Sequence, residues 1–115
     1  MIIIAGTIDL DDESGRDALV VASAPLQQAT RDEEPGCLSY CFAADPVDGR
    51  RIQIYELWAD QGSLAAHFEH PNYRNMRAVL NGAKPRAVST AKYRCDLTEP
   101  VYDDSRAPRA DFFTA

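Results

Sequence analysis

The chain is short of positive charge. It sets 12 Lys and Arg against 18 Asp and Glu, for a formal net charge of −6. A nucleic-acid partner requires a basic face for its phosphates, and an anionic membrane surface requires the same, so neither is expected. A long apolar run is also missing. The opening Met1-Ile-Ile-Ile-Ala-Gly-Thr-Ile8 has no basic flank and meets Asp9 and Asp11 almost at once, which marks a strand and neither a signal peptide nor a membrane span. Cytoplasm is the expected compartment. Gly6, Gly15 and Gly36 stand isolated, so no phosphate-cradling loop supports nucleotide or flavin binding, and no Gly-x-Ser-x-Gly nucleophile motif occurs. There are three cysteines without zinc-ligand spacing. Cys37 and Cys41 are expected on one face of one strand, roughly 13 Å apart and beyond disulfide reach. With Cys95 they read as small hydrophobes.

What is present suits one packed domain: 115 residues, 45% of them apolar. Residues 2–10 form a strand with Ile2, Ile4, Ile8 and Leu10 on one face. Ser14 is the expected N-cap of a helix, preceded by acids that suit the positive end of its dipole. Leu19, Ala22, Leu26 and Ala29 recur at helical spacing to about Arg31, and Pro25 is expected to kink or shorten that helix. Strands follow at Cys37–Ala44 and Arg51–Trp58, joined by the turn Asp45-Pro46-Val47-Asp48-Gly49. Asp60 caps a helix over Gln61–Glu69. His70-Pro71 opens another to about Leu80, with Pro at its first position. A last strand covers Val88–Cys95, and residues 96–115 read as an extended arm beyond a domain of residues 1–95. The order is β-α-β-β-α-β, an α+β ferredoxin-like pattern with an antiparallel sheet. Its third strand is apolar on both sides: Ile52, Ile54 and Trp58 oppose Tyr55 and Leu57. A sheet of that kind needs cover on both faces, and a second subunit's sheet is the simplest cover, so a homodimer is expected.

Several local patterns coincide along this frame. Glu34-Pro35-Gly36-Cys37 with Tyr40 follows the first helix, Glu56-Leu57-Trp58 closes the third strand, and Leu64-Ala-Ala-His67-Phe68 sits on the next helix before Pro71 and Arg77. In order and spacing they resemble the antibiotic-biosynthesis-monooxygenase family, including its quinol-monooxygenase-like bacterial members, over about residues 2–95. The resemblance implies a dimeric α/β barrel with one pocket per subunit. It further implies oxidation of a small aromatic substrate, a quinol or anthrone, by O2 without metal or flavin. Other branches degrade haem or isomerise, so fold alone does not fix the reaction. The polyketide-anthrone oxygenases carry a pocket Asn four residues before the strand-three Trp and a pocket Tyr six residues after it. Ile54 and Leu64 stand there here, while Trp58 is kept and their pocket Arg matches Arg77. The Asn, Trp and His of the haem-degrading branch correspond to Gly6 or Thr7, His67 and Arg77, which disfavours that branch.

Cofactor-free oxygenation needs a dry aromatic pocket, a base to deprotonate the phenol or anthrone, and positive charge for the resulting anion. His67 is the candidate base, since imidazole titrates near neutrality; the plainer reading is a helix histidine bonded to backbone or solvent. Arg77 is the candidate anion stabiliser, against a solvated arginine pairing with an acid. Trp58, Tyr40, Phe68 and Tyr73 are candidate ring-binding walls, although each is equally at home in a core. Glu56 lies on an apolar face, where a carboxylate must be paired, hydrogen-bonded or protonated. It is placed with the substrate-binding residues, against a structural ion pair. His67-x-x-His70 invites a metal, but His70 precedes Pro71, which disfavours helical geometry, and no third ligand is near. No metal or other cofactor is expected. An isomerase or lyase acting on a small carbonyl compound, or a non-catalytic ligand-binding dimer, would use the same pocket.

Overall fold

The computed structural model describes residues 1–113. The elements run β1 (Ile2–Asp9), α1 (Glu13–Glu33), β2 (Cys37–Ala44), β3 (Arg51–Trp58), α2 (Gln61–Glu69), α3 (Pro71–Gly82) and β4 (Ala87–Arg94). The four strands form one antiparallel sheet in the order β2-β3-β1-β4, which is the ferredoxin-like α+β architecture, its second helical unit broken in two at His70-Pro71. None of the described helices is long and apolar enough to cross a membrane.

The long helix departs from expectation in three ways. Its N-cap is Asp12 and not Ser14: the Asp12 Oδ1 accepts from the Gly15 N–H at 2.7 Å and from the Ser14 hydroxyl at 3.1 Å. A carboxylate in this position also meets the positive end of the helix dipole. Pro25 neither stops nor shortens the helix, which continues to Glu33. The carbonyl deprived of its donor belongs to Val21, which is 73% exposed, so water can replace the missing bond. The buried stripe is Arg16, Leu19, Ser23, Gln27 and Thr30, while Ala22 faces solvent. This rotation follows from the location of α1 beside β2, an edge strand whose outward backbone groups need partners. Gln27 supplies them as a surrogate strand. Its amide donates to the Phe42 carbonyl at 3.0 Å, and its carbonyl accepts from the Phe42 N–H at 2.9 Å. Arg31 donates to the Tyr40 carbonyl at 2.7 Å, and Arg16 donates to the carbonyls of Asp45, Asp48 and Arg51. Gln27→Leu keeps the volume but orphans both Phe42 groups. A loss of about 2 kcal/mol is expected, read as a shift in the urea midpoint at unchanged slope.

The helix side of the sheet carries the core: Ile8, Tyr40, Phe42, Ile52, Ile54 and Trp58 pack with Leu19, Leu64 and Met76. Register sets Tyr40, Glu56, Ile4 and Lys92 in one cross-strand row, and Cys37, Trp58, Ile2 and Arg94 in the next. An irregularity between Cys37 and Ser39 adds a residue to β2. It places Cys37 beside Trp58 and Cys41 beside Tyr55, on opposite faces, correcting the expectation that the two cysteines share one. The other side of the sheet, with Ile3, Ala5, Leu57, Tyr55 and Tyr93, has no helix over it. β4 is exposed along its whole length.

Beyond β4, backbone bonds at 2.9 and 3.0 Å tie Cys95 to Met1. The following segment closes on itself. Tyr102 bridges to Pro108, and Arg109 pairs with Glu99 and Asp111. Its Phe112 is 90% exposed. The last two residues of the expected arm, 114–115, lie outside the described residues.

Candidate functional site

The sheet's end near Trp58, the turn after α1 and the start of α2–α3 converge on a buried polar cluster. Glu34 ends α1, its N–H returning to the Thr30 carbonyl at 3.2 Å. The turn Pro35-Gly36 then lets β2 begin. Its tight fit explains the glycine: a Cβ on Gly36 would sit 2.1 Å from the Ser63 hydroxyl. Asp60 caps α2 by accepting from the Ser63 N–H at 2.7 Å. Two helical turns into α2, His67 points inward and is only 2% exposed.

His67 and Glu34 form a dyad. The imidazole Nδ1 donates to the Glu34 Oε1 at 2.8 Å, and the second carboxylate oxygen accepts from the Asn72 amide at 3.2 Å. Asn72 also donates to Glu33 at 3.0 Å, so one amide clamps two adjacent carboxylates. With Nδ1 engaged, the lone pair lies on Nε2. That nitrogen has no hydrogen-bond partner among the described residues and is not shut off from solvent; it is left to the cavity that His67 lines. Burial lowers the His67 pKa below its usual value, outweighing the opposing pull of the Glu34 carboxylate. The imidazole is therefore neutral, and competent as a base, at neutral pH.

Glu56 stands on the sheet, in the same cavity. Its Oε1 accepts from the Trp58 indole N–H at 3.0 Å. Burial pushes its pKa up to about 7; the Trp58 bond opposes this and the Glu34 charge adds to it. Glu56 thus divides between acid and carboxylate near neutrality, beside a histidine that is neutral there. Such a pair of displaced titrations is what acid–base chemistry at one site requires.

The cavity has a volume of about 410 Å³, within the range of small-molecule pockets. Its walls include Tyr40, Phe68, Tyr73, Glu56 and His67, with Arg77, Leu80 and Val88 toward the opening. Tyr40, Phe68 and Tyr73 surround the imidazole at ring-centre distances of 5.7, 5.9 and 5.4 Å. Burial drives the Tyr40 phenol well above its ordinary pKa, so it acts as a neutral hydroxyl. Arg77 lines the cavity but is exposed and forms no ion pair among the described residues. Trp58, expected as a ring-binding wall, is fully buried and does not line the cavity. It packs behind His67 with ring centres 4.4 Å apart and the planes tilted by 36°, and so backs the imidazole. His70 is occupied as the cap of α3, its Nδ1 accepting from the Asn72 N–H at 3.0 Å, and does not join His67. Among the described residues, no group of three or more His, Cys, Asp or Glu is arranged to hold a metal ion.

The geometry defines a small α+β domain with a histidine–carboxylate pair on an aromatic pocket, and comparison with known proteins gives it a family. The model of the antibiotic biosynthesis monooxygenase family matches residues 1–79, and the chain belongs to that family. In structure it resembles a candidate antibiotic biosynthesis monooxygenase from Deinococcus radiodurans, with a TM-score of 0.73 at 24% identity over 90% of this chain and 100% of that one. It also resembles Rv0793 from Mycobacterium tuberculosis, with a TM-score of 0.70 at 24% identity over 85% and 96%. At these identities the likeness speaks for the fold. In sequence it is 25% identical over 72 residues to the uncharacterized protein sll1783 of a Synechocystis strain, covering 63% of this chain and 48% of that protein. The chain thus spans about half the length of that curated relative.

Proposed function

We propose that the protein is a cofactor-independent monooxygenase that oxidises a quinol, anthrone or related phenolic compound with O2. The observation that carries this reading is the Glu34–His67 dyad presenting an unpartnered Nε2 to an aromatic-walled cavity. The Nε2 takes the phenolic proton. The electron-rich anion passes one electron to O2, and the resulting radical and superoxide join in a carbon–oxygen bond to give a peroxide anion. A protonated Glu56 or the His67 imidazolium returns a proton to that anion. Loss of the ring C–H proton then cleaves the O–O bond, leaving a carbonyl and one water, so that a quinol and O2 give a hydroxyquinone and H2O. Arg77, which lines the same cavity, offers positive charge to the anion once it has formed. O2 uptake with quinols and anthrones by chelator-treated protein tests the reading. Stoichiometric uptake supports it, and no uptake across the panel removes it.

One observation favours a second reading. A neutral histidine and a carboxyl near its own pKa, in one cavity, can take a proton from one carbon and return it to another, which is isomerisation of a small carbonyl compound. Exchange of substrate C–H for deuterium without O2 uptake would select it.

The dimer belongs to the same proposal. The helix-free sheet face presents Tyr55 at 42% and Tyr93 at 55% exposure beside Ile3 and Leu57, an apolar surface that a second copy's sheet would cover. The arm from residue 96, with its exposed Val101, Tyr102 and Phe112, is assigned to the same partner. Tyr55→Asp should convert the protein to a monomer in light scattering; a variant that remains dimeric would relocate the interface.

A further inference from the structure

We propose that the active-site cavity continues into an anion-binding groove, so that the natural ligand is an aromatic ring bearing a short acidic tail. This rests on the ring-binding reading of the first cavity. A second hollow of about 710 Å³ lies between α2 and the β1–β4 end of the sheet, lined on the helix side by Leu64, Phe68, Lys92, Arg94 and Asp60 among others. Phe68 lines both hollows. Its ring is 5.0 Å from Tyr73 on the first side, so it forms the wall common to the two hollows, and it is itself 45% exposed.

Register gives the groove its charge. Lys92 stands in the same cross-strand row as Ile4 and Glu56, on the helix side of the sheet. Two interstrand steps separate Lys92 from Glu56, about 10 Å between Cα atoms, which a ring with a tail of about four carbons spans. Arg94 lies one helix-side position further along and pairs with Asp96 at 2.6 Å. Lys92 forms no ion pair among the described residues. Asp60 is the acid in the groove, and its carboxylate is turned to the α2 N-terminus, accepting from the Ser63 N–H. A cation without an ion-pair partner, on the far side of Phe68 from the base, fits a carboxylate on the tail. Because the groove is open, the effect is modest and sensitive to salt.

The test is calorimetric titration without O2, using 2-butylhydroquinone and 4-(2,5-dihydroxyphenyl)butanoate, which differ in the end of the tail. The expected result is that the butanoate binds about fivefold tighter at low salt. That advantage should vanish in Lys92→Glu, a change on an exposed strand, while butylhydroquinone affinity stays unchanged. Equal affinities in the wild type, or an advantage that survives Lys92→Glu, would overturn the groove yet leave the ring site standing, because butylhydroquinone still binds. If neither compound binds, the ring-site reading itself fails and the groove falls with it.

Discussion

His67→Gln is expected to lower kcat by about a hundredfold or more, the usual contribution of a positioned general base, while the protein stays folded. Glutamine is the informative substitution. Its amide can still donate to Glu34, whereas alanine would leave a buried carboxylate unpaired and destabilise the protein for reasons unrelated to catalysis. Glu34→Gln should cost less, about tenfold, because it preserves an acceptor oxygen for Nδ1 but removes the charge that supports an imidazolium. It should also move the acid limb of the rate profile. The Glu34 charge raises the His67 pKa, so without it the base stays neutral to lower pH and the limb shifts downward. Wild-type turnover in His67→Gln would take the histidine out of the mechanism.

The second large effect belongs to Glu56. Its pKa of about 7 in the folded protein stands above its ordinary value of 4.5 because its carboxylate is desolvated. A carboxyl raised on folding contributes stability that is complete below 4.5 and is lost as pH rises through 7. The whole swing is about 3 kcal/mol. His67 acts in the opposite direction: with its pKa lowered on folding, its contribution is full above the ordinary histidine value and is lost as pH falls. Comparison with Glu56→Gln isolates the carboxyl, since the amide oxygen can still accept from Trp58. The variant should match the wild type near pH 4.5 and exceed its stability at pH 8 by about 2–3 kcal/mol in urea unfolding. Parallel curves at both pH values would mean that Glu56 is not desolvated. If Glu56 delivers the proton to the peroxide, the wild-type rate should also fall above pH 7, and the variant should be slow with no such limb.

The fold was legible wherever local chemistry decides it. The β-branched and aromatic residues concentrated in β1 and β3, Asp60 as a cap and Pro71 at the first turn of α3 each specify their element within a few residues. Errors arose where a distant partner decides. Periodicity put Leu19, Ala22, Leu26 and Ala29 in the stripe of α1; the polar Gln27 is drawn in by an edge strand reached only in three dimensions, and Ser23 is buried bonding to it. The extra residue near Leu38 carries no sequence mark, yet it separates the two strand cysteines. In the site, His67 and Glu56 stood out as titratable groups among apolar ones. Glu34 was read as part of a turn motif and not as chemistry, because its partner is 33 residues away. The available signal was a carboxylate held by a Pro-Gly turn close to where the next strand must start. Trp58 looked like a wall because a tryptophan at a strand end often is one; the depth of His67 in the packing places the indole behind it.

That packing has a spectroscopic consequence. The chain contains one tryptophan, and it lies fully buried against the imidazole proposed as the base. Its emission should be blue-shifted and free of contributions from any other indole. An imidazolium quenches an adjacent excited indole more strongly than a neutral imidazole does, so acidification should dim the native protein along the His67 protonation curve. The Glu56 carboxyl bonded to the indole N–H titrates nearby, so the same scan in Glu56→Gln would leave the intrinsic fluorescence reporting the charge state of His67, without a label, in the same cuvette as the reaction.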